Sequence, residues 1–195
     1  MKELSLNILD VAQNSINAGA TLIEIIINEQ SGKLTVTIKD NGCGIPEDAL
    51  QKVTDPFYTT RTTRKVGLGL PLFKMAAEQT GGDMSILSTA IQKDPLNHGT
   101  AVTAHFFTDH IDSTPLGDII SSIITLIQGH PDTDIYFKHT ALENEVLLDT
   151  RKLREILDGV PLNSYRLLKW IEKYLNEQYL RSGLPLVKLQ EGRNI

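Results

Sequence analysis

Carboxylate and carboxamide side chains recur at helical spacing near the start of the chain. Asp10 and Asn14 are four residues apart, and Asn17 follows three residues later. Side chains at these spacings share one face of a helix, and their oxygen atoms are the kind of ligand that Mg²⁺ prefers. The pattern therefore admits a magnesium site held by Asp10 and Asn14. An ordinary solvated helix face would have the same pattern.

A glycine-containing loop, residues 40–46 (DNGCGIP), follows a predicted strand. The carboxylate of Asp40, at the end of that strand, can accept a hydrogen bond from an amine. Gly42 and Gly44 carry no side chain, so a flat ligand can approach the backbone there. A plain surface loop is the alternative interpretation, because a single DxGxG segment is a weak signal.

A second glycine-containing segment, residues 65–71 (KVGLGLP), stands directly before a predicted helix. Free N–H groups at the start of a helix, together with the helix dipole, favour phosphate oxygens. Arg61, Arg64 and Lys65 add positive charge in an otherwise acidic chain. The segment is a candidate phosphate site, and a flexible surface loop with ordinary charges is the alternative.

These candidate residues must be positioned by the elements around them. Apolar spacing predicts a helix over 3–18, and β-branched residues indicate a hairpin of two strands over 21–39. Thr100 stands at the start of a later predicted strand. The other elements predicted in this part are a short helix at 46–53, a helix at 69–80 and strands at 84–88 and 100–107.

The order of the motifs resembles that of one superfamily. A helix with Asn14, a strand followed by DxGxG, the segment PFYTTR, GLGL before a helix, and Gly99-Thr100 on a strand follow each other along the chain. This order is similar to the Bergerat ATP-binding fold of the GHKL superfamily, which joins gyrase-type ATPases, heat-shock chaperones, sensor histidine kinases and MutL mismatch-repair proteins. The resemblance covers residues 1–108. It implies an α+β fold in which a mixed sheet is covered by helices on one face.

The resemblance also implies a role for each matching residue in binding Mg–ATP. Asn14 is similar to the asparagine that holds Mg²⁺ against the phosphates, and Asp10 stands where it would support the metal or act as a base. Asp40 is similar to the aspartate that accepts the adenine amino group. The other residues that the resemblance places at the nucleotide are Gly42, Gly44, Ile45 and Thr100 around the base, and Arg61, Lys65, Gly67, Leu68, Gly69 and Leu70 around the phosphates. Residues 55–61 (DPFYTTR) resemble the F box of kinases, and 55–70 would form a mobile lid.

The matches divide between two branches of the superfamily. The segment NSINAGAT, residues 14–21, is close to MutL proteins, which place a glutamate as general base four residues before the asparagine. The residue at that place here is Asp10, which is one methylene shorter. The F box and GLGL resemble sensor histidine kinases, which have a glycine in place of Lys65 and a lysine in place of Asn17. The resemblance therefore implies a kinase-type ATP-binding catalytic domain with a MutL-like N box.

The composition changes near residue 110, and we expect a domain boundary at 109–114. The sequence predicts an ATP-binding domain over 1–110, a small α+β domain over 112–182 and a C-terminal tail over 183–195. The second part should begin with a helix that ends near Gln128, with Thr114 as its cap and Pro115 in its first turn. A hairpin and two helices follow. No known motif marks this part, so we interpret it as a partner or regulatory module.

The overall composition excludes several classes of protein. The chain has 195 residues and a net charge of −5, which argues against a general nucleic-acid binder. No apolar run reaches the roughly 18 residues of a membrane-spanning helix. Cys43 is the only cysteine, so no internal disulfide can form, and a reducing cytoplasm fits. We expect a cytoplasmic protein whose partners include neither nucleic acid nor membrane.

The sequence leaves three functions open. The first is a stand-alone kinase-type module that passes the γ-phosphate of ATP to a protein, and the second is a slow ATPase or ATP-dependent switch. The third is a non-catalytic regulator resembling anti-sigma factors. The ATP-binding part begins within ten residues of Met1, without the dimerising helix that carries the phosphoacceptor histidine of sensor kinases. We therefore expect an unidentified protein partner or phosphoacceptor to act in trans.

Overall fold

The computed structural model describes residues 3–50, 52–54 and 68–184, which contain six helices and six strands. The helices are α1 (Leu4–Asn17), α2 (Glu47–Leu50), α3 (Gly69–Gln79), α4 (Ile119–Gly129), α5 (Thr150–Leu157) and α6 (Tyr165–Ser182). The strands are β1 (Leu22–Gln30), β2 (Lys33–Asp40), β3 (Asp83–Thr89), β4 (Gly99–Phe107), β5 (Asp134–Ala141) and β6 (Asn144–Asp149). In this part of the chain no helix combines the length and the apolar character needed to cross a membrane.

The six strands form one mixed sheet in the order β3-β4-β2-β1-β5-β6. Neighbouring strands are antiparallel except β1 and β5, which run parallel. Alternate residues of β1 are buried, namely Ile23, Ile25 and Ile27. Such alternation is expected where one face of a sheet packs against a core and the other face is partly solvated. The sheet and its helices confirm the predicted α+β fold with a mixed sheet.

The sheet continues across the boundary that the sequence predicts at 109–114. Strands β5 and β6 follow this boundary in the chain, yet β5 lies beside β1 and pairs with it from Leu22 to Glu29. Helix α4 also contributes to the same hydrophobic core through Ile119, Ile120, Ile123, Leu126 and Ile127. The segment predicted as a small α+β domain therefore shares one sheet and one core with the segment before it.

The connection between β4 and α4 closes the start of α1. The backbone N–H of Leu4 donates to the carbonyl oxygen of Pro115 at 3.0 Å, and that of Ser5 donates to Leu116 at 2.8 Å. The first N–H groups of a helix have no partner inside the helix, so they need acceptors of this kind. The helix that carries Asp10 and Asn14 thus begins on residues from beyond the predicted boundary.

The predicted start of α4 at Thr114 is wrong. The helix begins at Ile119, and its cap is Asp118, whose side chain accepts from the backbone N–H of Ser121 at 2.9 Å. In the prediction Pro115 lies in the first turn of this helix, whereas in the structure its carbonyl oxygen accepts from the N–H of Leu4 in α1. A helix start at Asp118 leaves the carbonyl groups of Pro115 and Leu116 free to accept from α1, which explains why the helix begins later.

A buried polar chain ties β1, β5 and α6 together. His139 is 0% exposed, and its Nδ1 lies 2.9 Å from the hydroxyl of Tyr179, while its Nε2 lies 3.1 Å from Oε1 of Glu29. Burial, and secondarily the charge of Glu29, raises the pKa of Tyr179 well above its ordinary value. The phenol therefore keeps its proton and can donate it to Nδ1, which leaves Nε2–H to donate to Glu29. Both ring nitrogens of the buried His139 and the hydroxyl of Tyr179 thus have a hydrogen-bond partner.

A side chain covers the middle of the edge strand β6. The backbone N–H of Leu147 donates to Oε1 of Gln178 at 3.0 Å, and Nε2 of Gln178 donates to the carbonyl oxygen of Leu147 at 2.9 Å. Leu147 pairs with Lys138 of β5 in the register of the sheet. The carboxamide of Gln178 thus occupies both polar backbone groups of one residue at the edge of the sheet.

A core substitution before the boundary should destabilise the segment after it. Ile38 of β2 is 1% exposed, and replacing such a residue by alanine costs about 2–5 kcal/mol. The only tryptophan, Trp170, lies on α6, so its fluorescence reports unfolding of the later segment. In Ile38→Ala we expect the denaturation midpoint measured at Trp170 to fall together with hydrogen-exchange protection in β2.

The control for this experiment is Leu180→Ala, because Leu180 is 81% exposed on α6. A surface change of this kind should alter the free energy of unfolding by about 0.5 kcal/mol or less. An unchanged Trp170 midpoint in Ile38→Ala, with β2 protection lost, would show two independent folding units.

Candidate nucleotide-binding site

The carboxylate of Asp40 is buried at the end of β2. Only 9% of the residue is exposed. Oδ2 accepts a hydrogen bond from the hydroxyl of Ser15 at 2.6 Å, and Oδ1 accepts one from the backbone N–H of Gly42 at 2.9 Å. Each carboxylate oxygen has two acceptor positions, so the group retains capacity for a further donor such as an amine. These two hydrogen bonds fix the orientation of the carboxylate that is predicted to contact the adenine base.

Ser15 is not among the site residues predicted from the sequence, yet it is the only side chain bonded to Asp40 within the described residues. A signal was present in the apolar stripe of α1. Ser15 follows Ile8 by seven residues and Val11 by four, so it continues the stripe into the core. A hydroxyl on such a stripe needs a buried partner, and Asp40 supplies it.

The loop that follows Asp40 is anchored on both sides. The side-chain oxygen of Asn41 accepts from the backbone N–H of Thr21 and of Leu22, each at 2.9 Å. The backbone N–H of Cys43 donates to Ala18 at 2.9 Å, and its carbonyl oxygen accepts from Ile91 at 2.9 Å. These bonds hold the loop between the end of α1 and the segment after β3.

The two predicted glycines of this loop are tightly packed. A Cβ atom on Gly42 would lie 2.9 Å from the Cβ of Ala18 and 3.1 Å from Oδ1 of Asp40. Gly44 has a φ of +70° and would meet the backbone of Thr89. Positive φ favours glycine. The absence of side chains here lets the loop lie directly against its neighbours.

Thr100 reaches the loop through Ser88. It lies opposite Asp40 in the register of β2 and β4, but its hydroxyl bonds to Ser88 Oγ at 2.9 Å and not to Asp40. Ser88 Oγ also accepts from the backbone N–H of Ile45 at 2.7 Å and donates to the carbonyl oxygen of Gly99 at 2.9 Å. Ser88 is not among the site residues predicted from the sequence, because one serine on a strand carries no distinctive pattern.

The predicted base-contacting residue Ile45 borders an open cleft. The cleft has a volume of about 630 Å³, and Pro46, Leu50 and Ser88 also line it. Its apolar lining and the hydroxyl of Ser88 stand next to the anchored loop. Ligand sites of this size commonly combine an apolar lining with a few polar groups.

The predicted metal ligands lie at the start of α3. A Cβ atom on Gly69, the first residue of α3, would be 3.5 Å from Nδ2 of Asn14 and 3.5 Å from Cβ of Asp10. Leu68 stands at the N-cap position and makes no side-chain cap, and Leu70 is half-buried in the first turn. The polar face of α1 thus meets the end of a helix whose free N–H groups favour anions.

The donor set at this place fits a metal only in part. Asp10 is exposed, and its carboxylate makes no hydrogen bond or ion pair within residues 3–50, 52–54 and 68–184. The same residues contain no cluster of three or more histidine, cysteine or acidic side chains. A magnesium ion next to Asp10 and Asn14 would therefore need oxygens from elsewhere, as Mg²⁺ commonly takes them from phosphates and water.

Several predicted phosphate-binding residues lie outside the described residues. They are Arg61, Lys65 and Gly67, together with the F box at 55–61 and most of the lid predicted at 55–70. Arg64 belongs to the same stretch. Of the predicted phosphate segment, the structure therefore places Leu68 at the N-cap of α3 and Gly69 and Leu70 in its first turn, with Gly69 next to α1.

Comparison with known proteins assigns the family. Residues 1–110 match the family model described as "Histidine kinase-, DNA gyrase B-, and HSP90-like ATPase". The match covers more than half of the chain, so the chain belongs to this family and carries its ATP-binding domain. The superfamily predicted from the order of the motifs is confirmed.

Relatives come from both branches that the motifs suggest. Sporulation kinase A of Bacillus subtilis is 40% identical over 70 residues, which are 36% of this chain and 11% of that protein. The DNA mismatch repair protein MutL of Thiobacillus denitrificans is 29% identical over 107 residues, or 55% of this chain and 17% of that protein. The chain thus spans less than a fifth of the length of either relative.

A solved structure resembles the fold beyond residue 110. The MutL ATPase domain of Aquifex aeolicus, complexed with ADP, aligns with a TM-score of 0.51 at 14% identity. The alignment covers 81% of this chain and 70% of that chain. At this identity the similarity concerns the fold alone.

Replacing Asp40 by asparagine should abolish most adenine-nucleotide binding. One oxygen becomes an NH₂ group, which would face a group that now donates to the carboxylate, either the backbone N–H of Gly42 or the hydroxyl of Ser15. The negative charge that would accept the amino group of adenine is lost as well. Losing a charged hydrogen bond in a buried site costs about 1.5–3 kcal/mol, or roughly 10- to 100-fold in affinity. Titration calorimetry with ATP measures this loss.

Asp83→Asn is the matched control, because Asp83 is exposed at the opposite end of the sheet. Its affinity for ATP should equal that of the wild type. An Asp40→Asn variant that binds ATP as tightly as the wild type would remove Asp40 from the site.

Proposed function

We propose that the chain binds Mg–ATP and uses it to act on a separate protein, as a stand-alone kinase-type module or an ATP-dependent switch. One observation carries this proposal. The adjacent residues Asn14 and Ser15 of α1 serve two places at once, because Asn14 lies against the start of α3 while Ser15 holds Asp40. One turn of α1 thus contacts both the carboxylate proposed to bind the adenine base and the start of α3, whose free N–H groups suit phosphates.

The proposed roles follow from this arrangement. Asp40 accepts the adenine amino group, and the loop with Gly42, Gly44 and Ile45 borders the base. Asn14 holds Mg²⁺ with the help of Asp10, and phosphate oxygens complete the coordination. The phosphates are proposed to lie at the start of α3, where Leu68, Gly69 and Leu70 offer backbone N–H groups. The predicted roles of Gly67, Arg61 and Lys65 in phosphate binding remain part of the proposal. The ADP complex of the Aquifex aeolicus MutL domain supports nucleotide binding by this fold.

The phosphoacceptor or partner is proposed to come from another protein. Phosphoryl transfer requires mainly positioning and charge stabilisation, which Mg²⁺ and the start of α3 would supply. Among the histidines of this chain, His139 is fully buried and His105 bonds to Thr35 on a neighbouring strand. Neither is placed as an accessible acceptor. A cytoplasmic location is proposed because ATP and a single free Cys43 suit a reducing compartment.

Slow hydrolysis of ATP is the second candidate, and Asp10 is the observation that favours it. Its carboxylate is exposed beside the start of α3, where the base of an ATPase would stand. A non-catalytic regulator resembling anti-sigma factors would bind ATP at the same residues without turnover. Measurements of phosphate release and phosphate transfer on one sample separate the three functions.

Replacing Asn14 by alanine should weaken binding of Mg–ATP much more than binding of adenosine. Asn14 is proposed to bind the metal ion and not the adenine base, so the binding of adenosine without metal should not depend on Asn14. Asn17→Ala is the matched control, because Asn17 is exposed three residues further along α1. By calorimetry, the loss of affinity for Mg–ATP in Asn14→Ala should exceed the loss of affinity for adenosine by about tenfold or more. In Asn17→Ala the affinities for both ligands should equal those of the wild type. An equal loss for both ligands would limit Asn14 to a structural role.

Two substitutions at Asp10 test the reaction itself. Aspartate is shorter than glutamate by one carbon–carbon bond, about 1.5 Å, and a general base must come within hydrogen-bond reach of its water. We therefore expect slow phosphate release in the wild type and faster release in Asp10→Glu. Asp10→Asn should retain ATP binding and transfer of labelled γ-phosphate to a protein in a lysate.

The outcomes distinguish the functions clearly. Fast turnover in the wild type that is lost in Asp10→Asn would make the chain a true ATPase with Asp10 as its base. Labelled phosphate that reaches no protein in any lysate would eliminate the kinase-type reaction.

A further inference from the structure

We propose that His98 is a positioning residue for recognition of the adenine amino group. It acts through the peptide groups of Gly42, which connect the histidine ring to the carboxylate of Asp40. The inference rests on the proposed function, because it takes Asp40 as the acceptor of the amine. It assigns a role to a residue that the order of the motifs did not single out.

The contact between His98 and the loop is short. Nδ1 of His98 lies 2.6 Å from the carbonyl oxygen of Gly42. A carbonyl oxygen only accepts hydrogen bonds, so Nδ1 must carry the proton at this distance. The hydrogen bond therefore fixes the tautomer of a neutral imidazole and persists if the ring becomes charged. The ring is half-buried directly before Gly99, where β4 begins.

Gly42 is held on both sides of its Cα atom. Its N–H donates to Oδ1 of Asp40 at 2.9 Å, and its carbonyl oxygen accepts from His98. Glycine has the widest choice of backbone conformations, so this residue needs such bonds to keep one orientation. The peptide that follows Gly42 is also held by the backbone N–H of Cys43, which donates to Ala18 at 2.9 Å. The bond from His98 is the second bond on this peptide, and its loss lets the N–H of Gly42 turn further from Oδ1 of Asp40, so that the carboxylate is held mainly by Ser15.

The turn before His98 does not depend on the histidine ring. The side chain of Asp94 accepts from the backbone N–H of Leu96 at 2.9 Å and from that of Asn97 at 3.0 Å. The hydrogen bonds from the backbone N–H groups of Asn97 and Leu96, with one from the side chain of Asn97, lower the pKa of Asp94 below its ordinary value. The pairing of Thr100 with Asp40 fixes the start of β4. The turn before His98 is therefore closed by its own residues, and the ring of His98 bonds to Gly42 instead of stabilising this turn.

The experiment compares ATP with purine riboside triphosphate, which lacks the 6-amino group. In the wild type we expect ATP to bind about tenfold more tightly, the effect of one hydrogen bond to a charged group. In His98→Leu this ratio should fall to about threefold or less, while the affinity for the analogue changes little. In His98→Asn the ratio should be restored, because the amide nitrogen takes the place of Nδ1.

Two further variants complete the test. His98→Gln displaces the donor by one bond and serves as a second loss variant that remains polar, so it replaces His98→Leu if that protein does not fold. His110→Leu is the matched control, because His110 lies in the connection after β4. Its ratio should equal that of the wild type.

The outcomes separate the inference from the proposed function. A wild type that binds both nucleotides equally would overturn the role of Asp40, and the inference with it. A wild type that prefers ATP while His98→Leu and His98→Gln keep the full preference would overturn the inference alone. An equal loss of affinity for both nucleotides in these variants would also overturn it, because a structural tie weakens both alike.

Discussion

Asp40 places a carboxylate where water has little access, and a buried charge is tolerated only when hydrogen bonds replace its lost hydration. The replacement comes from two directions, the hydroxyl of Ser15 on α1 and the backbone N–H of Gly42 in the loop. Strand β4 closes the third side, where a Cβ on Gly99 would meet the backbone of Asp40. The glycine at position 42 follows from this need, because its backbone N–H must come close enough to donate to the carboxylate. The bond from Ser15 also ties α1, and with it the adjacent Asn14, to the end of β2.

Strand β1 explains why the chain cannot be divided simply at residue 110. It pairs with β2 on one side and with β5 on the other, so its backbone groups are satisfied only when both segments are present. The two segments also meet at the loop, because Thr21 bonds to the side chain of Asn41 through its N–H and to Asp134 through its carbonyl oxygen. A displacement of this loop would therefore move Thr21 and, through its bond to Asp134, the start of β5. Packed interiors transmit such shifts because they compress little.

Local features of the fold could be predicted from the sequence, and long-range ones could not. The apolar periodicity of α1 and the β-branched run of β1 reflect backbone preferences and burial, and both elements lie where predicted. The hairpin of β5 and β6 was also predicted, but its place beside β1 depends on residues more than a hundred positions apart, for which periodicity holds no information. The cap of α4 was misplaced because Thr114 and Asp118 are both good caps, and the choice between them depends on α1. In the site, glycines and acidic residues were recognisable by spacing, whereas Ser15 and Ser88 matter through partners that only the folded chain brings near.

The carboxamide of Gln178 has a consequence for how this protein meets other chains. An edge strand offers unpaired backbone groups on which a strand of another molecule can add, and repeated addition leads to aggregates. On β6 the groups of Leu147 are already occupied by Gln178, which imitates the peptide of a seventh strand. An incoming strand would have to displace this amide in the middle of an edge that is only six residues long. The side chain of one glutamine thus terminates the sheet and protects the chain against self-association through this edge.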